Sequence, residues 1–517
     1  MAAASATSDY PRGNGTGGNG IGGNGTGGTA WTGADRTLLL GLIAIALLRT
    51  ASLFASPLGL GVDEAQYWLW STGFDFGYYT KPPLTSWIIG LSHGLFGHHE
   101  WAVRLPAPWL HLATSLILWR AASWLAGAGA GRIAAMIWMT LPSIALGSFV
   151  ISTDTPLLLC WSAGVLALVG VLTGRLRESR GMLLAGGAFG AAMLAKYAAI
   201  YGLAGLAMFV LVTSVQARSA DRRQVISWCG LGLFALGMLV VASPDIIWNL
   251  ANELTTVRHL GDNANFDRQS YSLAGSIGFL AAQFATAGPV VFALMFGILR
   301  IQRGDDCGLL LFFLSAPVIL VIMVQAFLSE ANANWALAAM PALVLWLARW
   351  MAQARPVIGR LAIGINLGVC LLILSVTTAG SLGPLTPGSD PFRRLRGWQV
   401  LAADTSAALE AHRAATVIAD RRATASLLSW HFHNQRIGGN PVTVLVIDAD
   451  GRPTNHFEQN LAWKPLAGRR FVALDGRKTP PEMTGVSWQA GTSALSTTAI
   501  SQNRSRDLYI HKGVEDE

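Results

Sequence analysis

The sequence predicts an α-helical polytopic membrane protein with a small C-terminal α/β extracytoplasmic domain, and three observations carry that prediction. Hydrophobic residues fill 52% of the 517 positions and charged residues only 13%, where soluble domains carry roughly 25% charge. Apolar runs long enough to cross about 30 Å of hydrocarbon occupy most of residues 36–380. Beyond 380 the pattern turns mixed and charged, with short strand-like runs.

Residues 1–35 form a separate region, built mostly of Gly, Asn, Thr, Ser and Ala with the near repeat GGNGIGGNGTGG over 17–28. So little apolar surface cannot offset the entropy of ordering, and a disordered cytoplasmic tail is expected. No basic n-region leads into a short apolar core with a cleavage site, so the first span reads as a retained anchor.

About 11 transmembrane helices are expected, near 37–56, 101–126, 131–150, 155–173, 181–195, 197–215, 225–247, 272–299, 308–328, 335–351 and 357–380. Only Lys196 separates the fifth from the sixth, so one broken or re-entrant helix competes with two crossings there. Arginine decides the count. Loops near 120–132, 174–180, 216–224, 300–307 and 349–360 are arginine-rich, whereas the alternate set near 57–100, 151–154, 196, 248–271 and 329–334 holds only Lys81, Lys196, Arg258 and Arg268. Positive residues stay on the cytoplasmic side, so the N-terminus is expected inside and residues 381–517 outside. The net charge of +8 is thereby an orientation signal, and no nucleic-acid partner is expected.

The tail over 381–517 follows the breaker-rich stretch Gly380–Gly388 and predicts a helix at 398–414 and strands at 416–419, 442–447 and 470–474. Cys160, Cys229, Cys307 and Cys370 all precede it, so no disulfide staples it. It offers Asp420-Arg-Arg422 and Trp430-His-Phe-His433; the latter reads as a sugar-stacking cluster or, more simply, as packed core. No catalytic role is expected of this region.

The reactive groups pool on the expected outer side. Asp63 and Glu64 follow the first span, Tyr79 and Lys81 lie in the loop after them, and Asp154, Lys196, Tyr197, Arg258, His259 and Asn334 sit at later connections. Ionisable groups beside hydrocarbon are costly to hold and mark function. Each also has a structural reading. Asp63 and Glu64 would stabilise the start of the helix at Ala65, Asp154 would cap the run beginning near Pro156, and Lys196 would snorkel. Tyr79 and Tyr197 would join the interfacial aromatic belt, and Arg258 and His259 would lie on an amphipathic surface helix. A divalent metal stays open, with Asp63, Glu64, Asp154, His93, His98 and His99 as donors, although no dense motif of the H-E-x-x-H kind is present. There is no Walker loop and no CxxC pair.

The pair Asp63-Glu64, the run Gly77-Tyr-Tyr-Thr-Lys-Pro-Pro-Leu-Thr-Ser-Trp87, Ser152-Thr-Asp-Thr-Pro156, Leu194-Ala-Lys-Tyr197, Trp248-Asn249 and Asn334-Trp335 together resemble the bacterial polyprenyl-phosphate-sugar-dependent glycosyltransferases. These are the protein O-mannosyltransferase-like group that includes the lipid A aminoarabinose transferase. The resemblance covers about residues 36–380. It implies a GT-C membrane fold in a bacterial inner membrane, a lipid-phosphate sugar donor entering from the bilayer, and inverting transfer to an envelope glycolipid, glycan or protein acceptor on the periplasmic side. By motif position it implies Asp63 as general base, with Lys81 and Lys196 neutralising the leaving phosphate.

Residue chemistry points the same way, since transfer from a phosphate needs a base at the acceptor and cations where negative charge develops. Two other classes compete. A lipid-linked sugar transporter or flippase would show polar groups along a path through the bilayer, whereas here they pool on one face. A signalling receptor would suit the tail and leave the loop acids and lysines unexplained.

Overall fold

The computed structural model describes residues 32–220, 224–263, 271–299, 305–354, 356–382, 392–448, 451, 453–464, 466–481, 483, 486–489, 494–501 and 504–515. Residues 1–31 of the expected tail thus lie outside the described residues. Thr32 opens the first helix, Gly33–Ala55, through a reciprocal capping box: its hydroxyl accepts the Asp35 N–H at 3.2 Å and Asp35 Oδ2 accepts the Thr32 N–H at 3.0 Å.

Helices coincide with each of the eleven expected spans. Among the described residues, seven helices are long and apolar enough to cross a membrane, and the pair Leu273–Ala287 and Pro289–Leu299, bent by 117°, is either a broken eighth span or a re-entrant loop. The Pro106–Thr140 helix leaves helical geometry at Ala126 and Gly127. The Ser115 hydroxyl then meets the Ala135 carbonyl at 3.1 Å, so the two halves run side by side. Helix Glu178–Ala195 stops at Lys196, which is extended, and a new helix starts with the turn Tyr197–Ala199. This is a break in the helix, which both the two-crossing and the broken-helix expectations contain.

Four expected spans are interrupted at a proline, among them 308–328, which breaks between Phe313 and Ala316 ahead of Pro317. The span expected over 101–126 begins as a separate short helix, Glu100–Arg104, before Pro106. The one expected over 131–150 ends at Thr140 and restarts as Pro142–Gly147. The one expected over 272–299 breaks at Gly288 (φ +83°) ahead of Pro289. Proline has no N–H to continue a helix and fits its first turn, so periodicity alone runs past these joints.

The bundle is close-packed where small residues let backbones approach. Gly186 and Gly190 lie against the backbone of Phe234 and Met238, and a side chain on Gly190 would stand 2.6 Å from the Met238 carbonyl. Trp161, Phe189 and Phe234 fill the space between helices Asp154–Leu172, Glu178–Ala195 and Trp228–Ala251. Alternation of the helices then sends Asp63, Lys81, Asp154, Lys196, Asn249 and Asn334 to one end. The opposite end carries the pairs Asp35–Arg132 and Asp305–Arg349.

The C-terminal part is the expected α/β unit. Its strands are β1 (Thr416–Ala419), β2 (Arg436–Ile437), β3 (Asn440–Pro441), β4 (Thr443–Val446), β5 (Arg470–Asp475), β6 (Val486–Trp488), β7 (Ala494–Ser501) and β8 (Arg504–Glu515). The main sheet runs β4-β1-β5-β8-β6, parallel across the first three and antiparallel at β8, which also pairs with β7. Helices Trp398–His412 and Arg422–His431 pack Leu409, Ala425 and Leu428 onto Val417, Val444 and Val472. The second of these helices was not foreseen.

This unit is not a loose appendage. Tyr67, Trp68 and Trp70 of helix Val62–Ser71 share a buried cluster with Trp398, Leu427 and Trp430. The loop after the first span and the C-terminal domain therefore build one wall together.

Candidate active site

Two neighbouring acids on one helix meet opposite fates. Glu64 is 1% exposed; it accepts the Gly61 N–H at 2.8 Å and takes Arg104 in a two-pronged pair, Nε to Oε1 at 2.9 Å and Nη2 to Oε2 at 2.7 Å. Ile151 N–H adds a further contact at 3.2 Å, and Arg104 spends its other donors on the Leu58 and Gly59 carbonyls. The helix-start reading thus describes Glu64. Successive helix residues face different directions, so Asp63 leaves this nest and is 62% exposed. Its Oδ1 receives Arg422 Nη2 at 2.7 Å, while Arg422 Nη1 goes to Gln66 Oε1 at 2.7 Å.

The next loop is held by aromatic packing. Gly77 lies flat on Trp248, whose Cδ2 would be 2.6 Å from any added Cβ. Tyr78 stacks on Trp70 at 4.8 Å and donates to the Trp70 carbonyl at 2.9 Å. Thr256 clamps the Tyr78 carbonyl at 2.8 Å, and Tyr78 N–H closes a turn on the Lys81 carbonyl at 3.2 Å. Pro82 and Pro83 end the loop and lead into helix Leu84–Phe96. Lys81 is thereby presented on a stiff support. No described carboxylate pairs with its ammonium, and burial, with Lys196 beside it, holds its pKa below the ordinary lysine value despite Asp63 and Asp154 nearby.

Asp154 occupies the first turn of its helix without capping it. Its Oδ1 takes Lys196 Nζ at 2.8 Å and its Oδ2 takes Asn334 Nδ2 at 2.8 Å, so residues from three separate connections meet in one buried chain. A second chain runs beside it: Tyr197 donates to Asp245 Oδ2 at 2.7 Å and accepts Asn249 Nδ2 at 2.9 Å.

Lys81, Lys196, Tyr197 and His259 line one cavity of about 390 Å³ together with apolar Ile200, Tyr201, Val321, Ile322 and Trp335. It has a cationic head and an apolar trough. Tyr79 lies outside that head. Its hydroxyl donates to the Pro453 carbonyl at 2.5 Å and its ring meets His259 edge-on at 5.5 Å. Tyr79, Arg258 and His259 instead border a more open cavity of about 570 Å³ that reaches Pro453 and Gln459 of the C-terminal domain.

The chemistry of this arrangement is that of two adjoining chambers. One suits an anion on an apolar chain, and the other is polar and open. The predicted residues fall between them as follows: Lys81, Lys196, Tyr197 and His259 in the first, Tyr79 and Arg258 in the second, Asp63 within electrostatic reach of Lys81, Asp154 and Asn334 behind Lys196, and Glu64 locked to Arg104. Sequence reasoning missed Arg104 and Arg422 as partners. An arginine inside an expected apolar span signals a buried acid, which would have found Arg104. Nothing local marked Arg422, because a contact spanning 359 positions leaves no spacing signature.

Residues 80–248 match the family described as dolichyl-phosphate-mannose-protein mannosyltransferase. The chain is 32% identical over 454 residues to the lipid A galacturonosyltransferase RgtD of Rhizobium johnstonii, covering 86% of this chain and 92% of that protein. Among solved structures, ArnT from Cupriavidus metallidurans bound to undecaprenyl phosphate superposes with a TM-score of 0.62 at 15% identity, covering 92% of this chain and 98% of that one. Its apo form gives 0.60 at 14% identity, over 93% and 98%. The expected fold is the observed one, and the chain belongs to the GT-C family of polyprenyl-phosphate-sugar-dependent membrane glycosyltransferases.

Proposed function

We propose that this enzyme moves a sugar from a polyprenyl-phosphate carrier to a lipid A-type envelope glycolipid on the periplasmic side of a bacterial inner membrane. The observation that carries the reading is Lys81, a partly buried cation without a described counter-ion, standing beside Lys196 at the head of an apolar cavity. A phosphate on a long hydrocarbon chain satisfies both halves of that cavity. The arginine asymmetry of the loops supports the sidedness, and the collection of polar groups at one end favours transfer over passage through the bilayer.

In the proposed step the acceptor hydroxyl attacks the anomeric carbon and gives its proton to Asp63 Oδ2, while Arg422 holds Oδ1. The bond from that carbon to the phosphate oxygen breaks, the electron pair leaves with the phosphate, and the configuration inverts. Lys81 and Lys196 neutralise the added charge on the departing carrier phosphate. Asp154 and Asn334 act through Lys196 as positioning residues, and Glu64 does so through Arg104. Arg258, His259 and Tyr79 border the open chamber where the acceptor enters. The relative's name supplies the substrate class, a galacturonosyl group placed on lipid A.

The test is transfer by the purified protein from a labelled polyprenyl-phosphate sugar to lipid A-type acceptors. Asp63→Asn is expected to lose about 10²–10⁴-fold in turnover, the range of general-base removal, with donor binding retained. Lys81→Ala is expected to weaken donor binding. Undiminished turnover in the first variant, or equal donor affinity in the second, overturns the corresponding assignment.

A further inference from the structure

Three imidazoles that the transfer chemistry does not use meet where the loop region joins the C-terminal domain. His93 lies in the last turn of helix Leu84–Phe96, His98 follows just beyond its end, and His433 comes two residues after helix Arg422–His431. One nitrogen from each lies within 4.8 Å of the other two. The pair His93 Nε2 and His98 Nδ1 is 3.2 Å apart, close to the roughly 3.3 Å that separates two nitrogens on one tetrahedral zinc at about 2.0–2.1 Å.

The tautomer of His98 follows from its other contact. Nε2 stands 3.0 Å from the Trp430 carbonyl, and a carbonyl only accepts, so Nε2 carries the proton and Nδ1 presents its lone pair toward His93. A histidine that gives its outer N–H to a backbone carbonyl is the arrangement that metal ligands adopt. His433 Nε2 accepts from the Asn434 side-chain amide at 3.1 Å; turning that amide over presents its oxygen to a protonated Nε2 and frees Nδ1 for the metal. Trp430 lies tilted over His98 at 3.7 Å between ring centres and Trp68 meets the histidines edge-on, 5.2 Å from His98 and 5.1 Å from His433. These indoles form an apolar wall around nitrogen donors alone, a setting that selects a borderline cation over magnesium or calcium.

We infer that His93, His98 and His433 bind a divalent zinc-class cation, with water in the fourth position, that staples the C-terminal domain to the loop after the first span. The staple has a consequence for the site. It fixes the far end of the helix whose first residue, Arg422, grips Asp63, yet the cation itself stays outside the reacting groups. The inference stands apart from the proposed substrates and survives their revision.

The experiment uses the full-length protein in detergent, purified without chelator. Elemental analysis is expected to find about one zinc per chain, and cobalt substitution to give the visible bands of a tetrahedral site. His98→Ala and His433→Ala are expected to weaken zinc affinity by about 100-fold or more, at or beyond the upper end of the 10–100-fold lost with a supporting partner, while His99→Ala binds as the parent does. Zinc is expected to raise the melting temperature of the parent protein. His433→Gln, which keeps an amide in place of the ring, should melt like the parent in chelator and show no rise with zinc. A parent protein without zinc binding, or one whose binding or zinc-induced rise survives in the His433 variants, overturns the inference and leaves a hydrogen-bonded imidazole pair.

Discussion

Asp63 and Glu64 differ by one methylene and one position, and the structure gives them separate work. Glu64 neutralises a buried guanidinium, so Glu64→Gln leaves Arg104 uncompensated and should cost about 3–5 kcal/mol of stability, read as a lowered melting temperature in detergent. Asp63 is exposed, and Asp63→Asn should leave that temperature nearly unchanged while turnover collapses. Equal melting losses in the two variants would erase the distinction. Lys81 adds a pH signature. Its pKa in the free enzyme lies below the ordinary lysine value of about 10.4 because burial and Lys196 disfavour its charge, and a bound phosphate favours the charged form. Carrier binding should therefore take up a proton and weaken as pH rises through that depressed value. Lys81→Arg, which stays charged, should flatten the decline in a titration with labelled carrier lipid.

At the scale of elements, the legible part of the chain is the part with a period or a punctuation mark. Apolar length located the spans, arginine alternation separated the helices on either side of Lys196, and β-branched runs placed β1, β4 and β5 within a residue or two. What stayed hidden lacked either signal. Helix Arg422–His431 reads poorly because its sequence, RATASLLSWH, is short and polar at its start, and its buried face is defined by Trp68 and Leu60 far away. The candidate site was legible as a set of reactive types on one face, and illegible as pairings, since Glu64–Arg104 and Asp63–Arg422 are set by tertiary packing. The loop run from Gly77 to Pro83 shows how a local motif depends on a distant element. Gly77 is required because Trp248 occupies the space of a side chain, so Gly77→Ala should displace the Lys81 turn at about 1–3 kcal/mol, the usual cost of overpacking. A second change, Trp248→Leu, should restore both melting temperature and donor binding; failure of rescue would show that Gly77 serves the backbone instead.

For the whole molecule, the division of labour between the two parts makes a kinetic prediction. Every residue lining the apolar cavity lies between Thr80 and Trp335, so the proposed carrier site belongs wholly to the helical bundle. Arg422, Pro453 and Gln459 reach the reacting end only because the C-terminal domain is docked through Trp398, Leu401, Leu427 and Trp430. Loosening that contact should therefore separate binding from turnover. Leu427 is 1% exposed and sits five residues after Arg422 on the same helix, and removing such a side chain costs about 2–5 kcal/mol in a packed core. Where about 1.4 kcal/mol of that loss falls on docking in the transition state, turnover drops tenfold. Leu427→Ala should accordingly lower kcat by about tenfold or more while carrier affinity stays within about twofold, a pattern that marks an interaction made in the transition state and not in the ground state. Parallel loss of carrier affinity would mean that the domain shapes the cavity as well. Unchanged kcat would mean that the grip of Arg422 on Asp63 does not depend on this packing.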